Sequence, residues 1–235
     1  LSQMIVHDLR SPLTSVTTSL GLLQRLVPKD TEFAEIVEQT TSMSRHAIRK
    51  VLARVDSLLD ISKMESGEIR LDREPSHIRH IVESVESALN PLAKEHQVTI
   101  KTSYDPTLPL VSIDADKVER MILNLIDNAI KYSPPDSDVS VRVIYPEPEF
   151  IRIEIADSGP GIPDDYKKRL FDRYVQIEGR KTVRRGVGLG LTFCKLVTEA
   201  HQGDIWVADN PLGKGSVFKV TLPIADPKKS SMLTK

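Results

Sequence analysis

The chain changes abruptly from two long segments with helical periodicity to a series of short strand-like and helical segments. This change is the feature of the sequence that most constrains its fold. Apolar residues recur at spacings of three and four from Ile5 to Val27 and again from Val37 to Leu59, with VPKD between the two runs. Such spacing places apolar side chains on one face of a helix. Two helices with a short connection form an antiparallel hairpin. Because one hairpin buries little apolar surface, we predict a homodimer whose two hairpins pair as a four-helix bundle.

From about Leu71 onward, strand-like segments alternate with helical ones. Residues 76–96, 114–133 and 189–202 have helical periodicity. The strand-like sequences are VTIKTSY, VSVRVIY, FIRIEIAD, DIWVAD and SVFKVTLP. This order predicts an α/β sandwich of the α+β class, with helices covering one face of a mixed sheet. We therefore expect two domains, a helical hairpin at 1–68 and the sandwich at 69–235.

Composition excludes several classes of partner. The 235 residues include 32 basic and 33 acidic ones, a formal net charge of −1, so no overall field favours nucleic acid. The single cysteine, Cys194, cannot form an intramolecular disulfide, and its apolar helical surroundings predict a buried thiol in a reduced compartment.

The location of the protein is predicted from its hydropathy. No apolar run approaches the roughly 18 residues that a membrane span needs, and no signal peptide is evident. The chain starts at Leu1, within a helical pattern. We expect a fragment of a longer cytoplasmic protein, in which any sensor or membrane-anchoring segment lies upstream and is the only link to a membrane.

The motif HDLRSPL places a histidine on the polar side of the first helix. His7 is two residues from Ile5 and from Leu9, so it points away from the apolar stripe. Asp8 can accept a proton from one ring nitrogen and leave the other free to attack, and Ser11 shares the same face. These residues alone fit either a nucleophile or an ordinary surface histidine.

The motif NLIDNAIKYS carries two asparagines one helical turn apart. Asn124 and Asn128 point the same way, with Lys131 three residues further on. Neutral oxygens with one lysine suit Mg²⁺ that already carries phosphate charge. Two surface asparagines without a ligand fit the spacing equally well.

Two glycine motifs follow. DSGPGIP comes directly after a strand, so Asp157 is a fixed acceptor, and its glycines let the backbone approach a flat ligand. RRGVGLGLT precedes a helix, where glycines expose backbone N–H groups to an anion. The connection between them, with one short helix around 163–174, is typical of a lid or of a disordered segment. GKGS at 213–216 lacks the P-loop spacing and predicts a hairpin turn.

Taken in order, HDLRSPL, NLIDNAIKYS, DSGPGIP, LFDRYVQ and GVGLGLT resemble the H, N, G1, F and G2 boxes of sensor histidine kinases. The resemblance covers nearly the whole chain. It implies a dimerisation and phosphotransfer hairpin followed by a Bergerat-type ATP-binding domain. The implied activity is ATP-dependent autophosphorylation, then phosphotransfer to an aspartate on the receiver domain of a response regulator.

The resemblance implies roles for the polar positions. His7 becomes the phospho-acceptor and Asp8 the acid that polarises it. Asn128, with Asn124 beside it, holds Mg²⁺ against the phosphates of ATP, and Lys131 contacts phosphate.

The same resemblance assigns the nucleotide pocket and the lid. Tyr132 flanks the nucleotide, Asp157 accepts from the exocyclic amine of adenine, and Phe171 anchors the lid. The glycines shape the adenine pocket (Gly159 and Gly161) or let the lid wrap the phosphates (Gly186, Gly188 and Gly190).

Two positions depart from relatives. Ser11 stands where many kinases have Thr or Asn, which aligns water for dephosphorylating the regulator, so phosphatase activity depends on a smaller hydroxyl side chain. Gln176 stands where some relatives have a lid arginine. The substitutes that the sequence offers are Arg173, Arg180, Arg184 and Arg185.

Two other functions use parts of the same motif set. Topoisomerase, chaperone and mismatch-repair ATPases carry the N, G1 and G2 boxes and use ATP as a conformational clamp, but a hairpin with HDLRSP has no role there. A scaffold that binds without transferring phosphate is disfavoured because each principal polar position is filled.

Overall fold

The computed structural model divides into two compact units, Leu1–Glu68 and Ile69–Lys235. It describes residues 13, 14, 16–22, 33, 36–38, 40–42, 44, 48 and 51 of the first unit, and 71–175, 177, 188–211 and 213–225 of the second. In the first unit, every described residue is helical except Phe33, which lies in a turn. This confirms the helical character predicted for that part of the chain.

The described part of the second unit contains four helices and seven strands. The helices are α1 (Ile78–Glu95), α2 (Ala115–Tyr132), α3 (Asp164–Lys167) and α4 (Gly190–Ala200). The strands are β1 (Glu74–Ser76), β2 (Val98–Tyr104), β3 (Val111–Ile113), β4 (Ser137–Glu147), β5 (Phe150–Ala156), β6 (Ile205–Asp209) and β7 (Ser216–Pro223).

Five of these strands form one sheet in the order β2-β4-β5-β7-β6. Strands β2 and β4 are parallel, and the other neighbours are antiparallel, which confirms the predicted mixed sheet. Strands β1 and β3 form a separate antiparallel pair. The sequence patterns did not predict that pair, because three residues are too few to show alternation.

The sheet has one apolar and one charged face. Val141 pairs with Ile155, and Ile155 with Phe218, all of them buried. Their neighbours along the strands lie on the other face, where Glu154 is 3.8 Å from Arg142 and 3.5 Å from Lys219. Helices α1, α2 and α4 bury their apolar stripes, as expected for helices that cover one face of a sheet.

Helices α2 and α4 pack closely. The Cys194 thiol lies 3.6 Å from the Met121 carbonyl oxygen, and the Thr198 hydroxyl is 3.2 Å from Met121 Sδ. The Arg120 guanidinium lies 4.3 Å from the centre of the Phe193 ring. Cys194 is fully buried, as predicted, and this burial raises the pKa of its thiol.

A buried histidine joins the start of α2 to the end of α4. Asp114 caps α2 by accepting from Lys117 N at 3.2 Å. The Asp114 backbone N–H donates to His201 Nε2 at 2.9 Å, and His201 Nδ1 lies 2.7 Å from the Val197 carbonyl oxygen. These partners require a neutral ring that carries its proton on Nδ1. Burial accordingly lowers the pKa of His201.

We predict that stability falls as the pH drops below about 6.5, the ordinary histidine pKa. The unfolded chain then takes up a proton that folded His201 refuses, so the free energy of unfolding decreases until the pH reaches the folded pKa of His201. Nitrogen-15 NMR of the imidazoles should find His201 Nε2 unprotonated at pH 6. A His201 ring that is protonated at pH 6 would contradict this account.

Candidate nucleotide and phosphotransfer site

One face of α2 carries a polar stripe, defined here as Asn124, Asp127, Asn128 and Lys131. At 100° per residue these four positions lie within about 100° of each other. All four are half-buried, whereas the opposite face of α2 is fully buried. The helix therefore presents two amides, a carboxylate and an ammonium group side by side.

Lys131 already has a partner within this stripe. Its ammonium group forms an ion pair with the Asp127 carboxylate, one helical turn earlier. Asp127 was not among the residues predicted from the motif, although its spacing of four from a lysine was visible in the sequence. A phosphate that binds Lys131 must therefore compete with Asp127.

Helix α4 begins beside the polar stripe. A Cβ atom added at Gly190 would lie 3.7 Å from Asn124 Oδ1, an ordinary van der Waals distance. The structure thus brings together residues of two motifs that are 66 positions apart in the sequence.

Asp157 lies at the end of β5 and is only 6% exposed. Its Oδ1 accepts from the backbone N–H groups of Gly159 at 2.8 Å and Ser216 at 3.2 Å. The Asp157 backbone also accepts from Asn210 Nδ2 at 3.0 Å and donates to the Ser216 carbonyl oxygen at 2.9 Å. Main-chain donors therefore fix the orientation of this carboxylate.

Close backbone approach requires glycine at two positions around Asp157. A Cβ atom at Gly159 would lie 2.7 Å from the Tyr132 carbonyl oxygen and 2.9 Å from Asp157 Oδ1. At Gly215, where φ is +118°, a Cβ atom would lie 2.0 Å from the Asp157 carbonyl oxygen. The Ser158 N–H donates to Ser133 Oγ at 3.3 Å. The end of α2 and the loop after β5 therefore meet at Asp157.

The segment after this loop is anchored at two points. The buried Phe171 ring packs edge-on against Phe218, with centroids 6.4 Å apart. Lys167 bridges Asp164 at 2.7 Å and Asp209 at 2.8 Å. The helix predicted around 163–174 is shorter than expected, since only Asp164–Lys167 is α-helical.

The two flanks of the predicted lid approach each other. The Tyr174 N–H donates to the Gly188 carbonyl oxygen at 3.0 Å. Gly188 has φ of +75°, and a Cβ atom there would lie 2.8 Å from Tyr174 Cα. Glycine is therefore required at this contact.

The remaining predicted residues are placed as follows. Gly161 has φ of +73° and faces the Gly215 carbonyl oxygen, and the Tyr132 side chain is exposed. Arg173 is exposed at the flank of the lid segment. The predictions for the other positions fall outside the described residues, namely His7, Asp8, Ser11, Gln176, Arg180, Arg184, Arg185 and Gly186.

Sequence reasoning missed the part of the site that comes from the last hairpin. The loop between β6 and β7 was predicted only as a turn, yet Asn210, Gly215 and Ser216 all contact Asp157. The two glycines of GKGS were the one signal that the backbone there approaches another segment closely.

The described residues provide no centre for a metal held by protein ligands alone. They contain no group of three or more His, Cys, Asp or Glu side chains suited to a metal ion. His77 and His80, on the first turn of α1, lie with ring centroids 5.2 Å apart. The amide and carboxylate oxygens of the polar stripe fit Mg²⁺ that keeps phosphate and water ligands.

Comparisons with known proteins agree with this geometry. Residues 1–67 match the family model described as "His Kinase A (phospho-acceptor) domain". Residues 113–226 match "Histidine kinase-, DNA gyrase B-, and HSP90-like ATPase". The chain belongs to the histidine kinase family. Within the parts of this histidine kinase that the structure describes, no helix is both long and apolar enough to cross a membrane.

The kinase chain is similar to curated relatives over nearly its whole length. It is 32% identical over 222 residues to "Adaptive-response sensory kinase SasA" of Synechococcus sp. (strain JA-3-3Ab), covering 94% of this chain and 58% of that protein. It is 30% identical over 226 residues to "Sensor histidine kinase TmoS" of Ectopseudomonas mendocina, covering 95% of this chain and 23% of TmoS. The chain thus spans little more than half the length of its SasA relatives.

Solved structures show the same fold. The structure of "ShkA full-length in complex with AMPPNP" matches with a TM-score of 0.79 at 24% identity, covering 95% of this chain and 45% of ShkA. The histidine kinase AdeS of Acinetobacter baumannii matches with a TM-score of 0.64 at 23% identity, and the match covers 94% of this chain and 98% of the AdeS chain. "Mycobacterial sensor histidine kinase MprB" matches with a TM-score of 0.55 at 28% identity, and the match covers 64% of this chain and 97% of the MprB chain.

The glycine requirement at Asp157 can be tested with a matched pair of substitutions in the kinase. Gly215→Ala places a methyl group against the Asp157 backbone, whereas a Cβ atom at Gly213 meets nothing within 4 Å. Both positions have a positive φ that L residues rarely adopt. Gly213→Ala therefore measures mainly the free energy of placing alanine in such a backbone conformation.

We expect Gly215→Ala to lower the free energy of unfolding by about 1–3 kcal/mol more than Gly213→Ala, and to weaken nucleotide binding. Urea denaturation and calorimetric titration with an ATP analogue measure the two effects. Equal losses in both variants would contradict the close approach at Asp157.

Proposed function

We propose that this kinase transfers the γ-phosphoryl group of ATP to His7 and then to an aspartate on a response regulator. One structural observation carries the proposal: the polar stripe of α2 meets Gly190 at Asn124, and Tyr132, the last residue of the same helix, adjoins the loop that orients the buried carboxylate of Asp157. Phosphate-binding and base-binding groups are thus adjacent, in a chain whose first 67 residues match a phospho-acceptor domain.

Asp157 is proposed to recognise adenine. Backbone N–H groups hold one of its oxygens and fix its direction, so the carboxylate is preorganised to accept from an exocyclic amine. Gly159 lets the loop after β5 approach the end of α2 closely, and Tyr132, the last residue of α2, is proposed to flank the base. Gly161, with φ of +73°, is proposed to shape the same pocket. Guanine presents a carbonyl oxygen at the position of the adenine amine, so this arrangement favours ATP over GTP.

The polar stripe is proposed to hold the phosphates through Mg²⁺. Asn128 and Asn124 supply neutral oxygens, which leave the positive charge of the metal available to phosphate. When bound, Mg²⁺ neutralises charge on the phosphate oxygens. Lys131 would exchange Asp127 for a phosphate oxygen, and Gly186, Gly188 and Gly190 would offer backbone N–H groups from the segment before α4.

In the first transfer, a ring nitrogen of neutral His7 attacks the γ-phosphorus in line with the β–γ bridging oxygen. The nitrogen–phosphorus bond forms as the phosphorus–oxygen bond breaks, and ADP leaves. Asp8 takes up the proton of the other ring nitrogen, which keeps the attacking nitrogen basic. Positioning and charge neutralisation provide most of the rate enhancement in such reactions.

In the second transfer, an aspartate carboxylate of the receiver domain attacks the phosphorus and releases His7. Ser11, four residues after His7 in the sequence, is proposed to orient water for the reverse step, hydrolysis of the aspartyl phosphate. An ATP clamp without phosphotransfer accounts less well for the first 67 residues, which match the phospho-acceptor family.

A homodimer is proposed to form through the first unit. Its described residues include the exposed apolar side chains of Val16, Leu22, Phe33, Ile36 and Val51. A single chain leaves these groups in water, and pairing two hairpins would bury them.

We propose a cytoplasmic location, where ATP and receiver domains are available.

The acceptor assignment predicts that His7→Gln abolishes labelling by γ-labelled ATP and Mg²⁺. Glutamine keeps a polar side chain of similar length but has no nucleophilic ring nitrogen. The label on the unchanged protein should be acid-labile and base-stable, as expected for phosphohistidine. His77→Gln, a change at an exposed histidine of α1's N-cap, is the matched control and should label normally. Persistent labelling of His7→Gln would exclude His7 as the acceptor.

The metal assignment predicts that Asn128→Asp reduces labelling by at least about tenfold, because the added negative charge repels phosphate and changes the metal ligands. Asn90→Asp makes the same chemical change on the exposed face of α1 and should have little effect. Far-ultraviolet circular dichroism checks that both variants fold. Undiminished labelling in Asn128→Asp would remove this residue from the site.

A further inference from the structure

We propose that Arg73 is a positioning residue for the nucleotide site, acting through the opposite end of helix α4. The proposal rests on the function proposed above, and it concerns residues outside every motif of the sequence. Its basis is a cluster that we call the polar junction, formed by Asp72, Arg73, Asp114 and His201.

Arg73 holds the C-terminal end of α4. One guanidinium nitrogen donates to the Ala200 carbonyl oxygen, and another lies 3.5 Å from Gln202 Oε1. Carbonyl groups in the last turn of a helix lack partners within the helix and carry partial negative charge. A guanidinium group at this point supplies both a donor and a compensating charge.

The residues on either side of Arg73 are fixed to the start of α2. The Asp72 N–H donates to Asp114 Oδ2 at 3.2 Å, and Glu74 pairs with Ile113 in the small sheet. Asp114 is only 5% exposed and caps α2, and Lys117 Nζ lies 2.6 Å from the same Oδ2. Arg73 therefore reaches α4 from a segment that is itself anchored on α2.

His201 closes the junction from the other side. This fully buried ring accepts from the Asp114 N–H and pairs with the Val197 carbonyl oxygen within α4. Two independent connections, one through Arg73 and one through His201, thus tie the end of α4 to the start of α2.

The nucleotide site lies at the other end of the same helix pair. Helix α4 has 11 residues and is therefore about 16 Å long. Its first residue, Gly190, faces Asn124, and contacts of Met121 with Thr198 and of Arg120 with Phe193 fill the interval. Closely packed helices move as rigid bodies, so a shift of α4 at Ala200 changes the gap between Gly190 and Asn124.

The position of the polar junction in the chain would allow movements of the preceding segment to change nucleotide affinity. Arg73 lies only a few residues after the boundary between the two compact units. A displacement of the chain where it enters the second unit therefore acts on the contacts of Asp72 and Arg73, and through Arg73 on α4. The affinity for nucleotide should accordingly depend on Arg73. This residue lies near the start of α2, about three helical turns before the polar stripe.

The test compares Arg73→Ala, Arg73→Lys and Arg142→Ala in the full chain. Arg142 is a suitable control because it is 56% exposed and pairs with Glu154 on the charged face of the sheet. Calorimetric titration with a non-hydrolysable ATP analogue and Mg²⁺ gives the dissociation constant of each variant. Thermal unfolding gives its stability.

We expect Arg73→Ala to weaken binding about fivefold or more, a typical magnitude for coupling between sites. Arg73→Lys should recover part of the loss, because an ammonium group can still donate to the Ala200 carbonyl oxygen. Arg142→Ala should stay within about twofold of the unchanged protein. Unchanged binding in Arg73→Ala, or an equal loss in Arg142→Ala, would overturn the proposal.

Hydrogen exchange distinguishes positioning from a general loss of stability. Well below the unfolding temperature, Arg73→Ala should speed exchange of the amides at 193–196, the first amides of α4 that donate to carbonyl groups one turn earlier. Faster exchange confined to 200–203 would overturn the proposal. Failure of the unchanged protein to bind the analogue would instead contradict the proposed function, so the two failures are distinguishable.

Discussion

The amphipathic character of α2 is the constraint on which the site depends. Seven residues of this helix are buried, and burying a valine, leucine, isoleucine or methionine side chain stabilises the fold by roughly 1.5–3 kcal/mol. The helix can therefore turn only one face to the sheet, and the rotation that buries Val118, Ile122 and Leu125 also places Asn124 and Asn128 on the polar side. The same packing that stabilises the second unit fixes the direction of the proposed phosphate-binding groups.

Contacts with other segments hold both ends of this helix. At its C-terminal end, the loop after β5 approaches so closely that only glycine fits at 159, and main-chain donors orient Asp157. At its N-terminal end, Asp114 joins α2 to His201 and to the segment around Arg73. A preorganised site of this kind loses little free energy to reorganisation when a ligand binds. On the proposal made for Arg73, the geometry of the site also depends on the contacts at the start of α2.

Local patterns predicted the elements well, and contacts between distant segments poorly. The bounds of β2 and β7 match the strand-like sequences, and the helical character, the mixed sheet and the buried Cys194 follow from periodicity and composition. The two three-residue strands were missed because they are too short to show alternation. Asp127 was missed although its spacing from Lys131 was visible. The donor from Ser216 to Asp157 spans 59 positions and that from Arg73 to Ala200 spans 127, and no local pattern encodes either.

Transfer of a phosphoryl group to His7 is the central claim, and locating that group on the protein tests it most directly. The full chain is incubated with ATP and Mg²⁺, digested at alkaline pH to preserve nitrogen–phosphorus bonds, and mapped by tandem mass spectrometry with electron-based fragmentation. The account predicts one phosphorylated peptide, modified at His7. A phosphoryl group on another residue, or release of inorganic phosphate without any phosphorylated peptide, would contradict it.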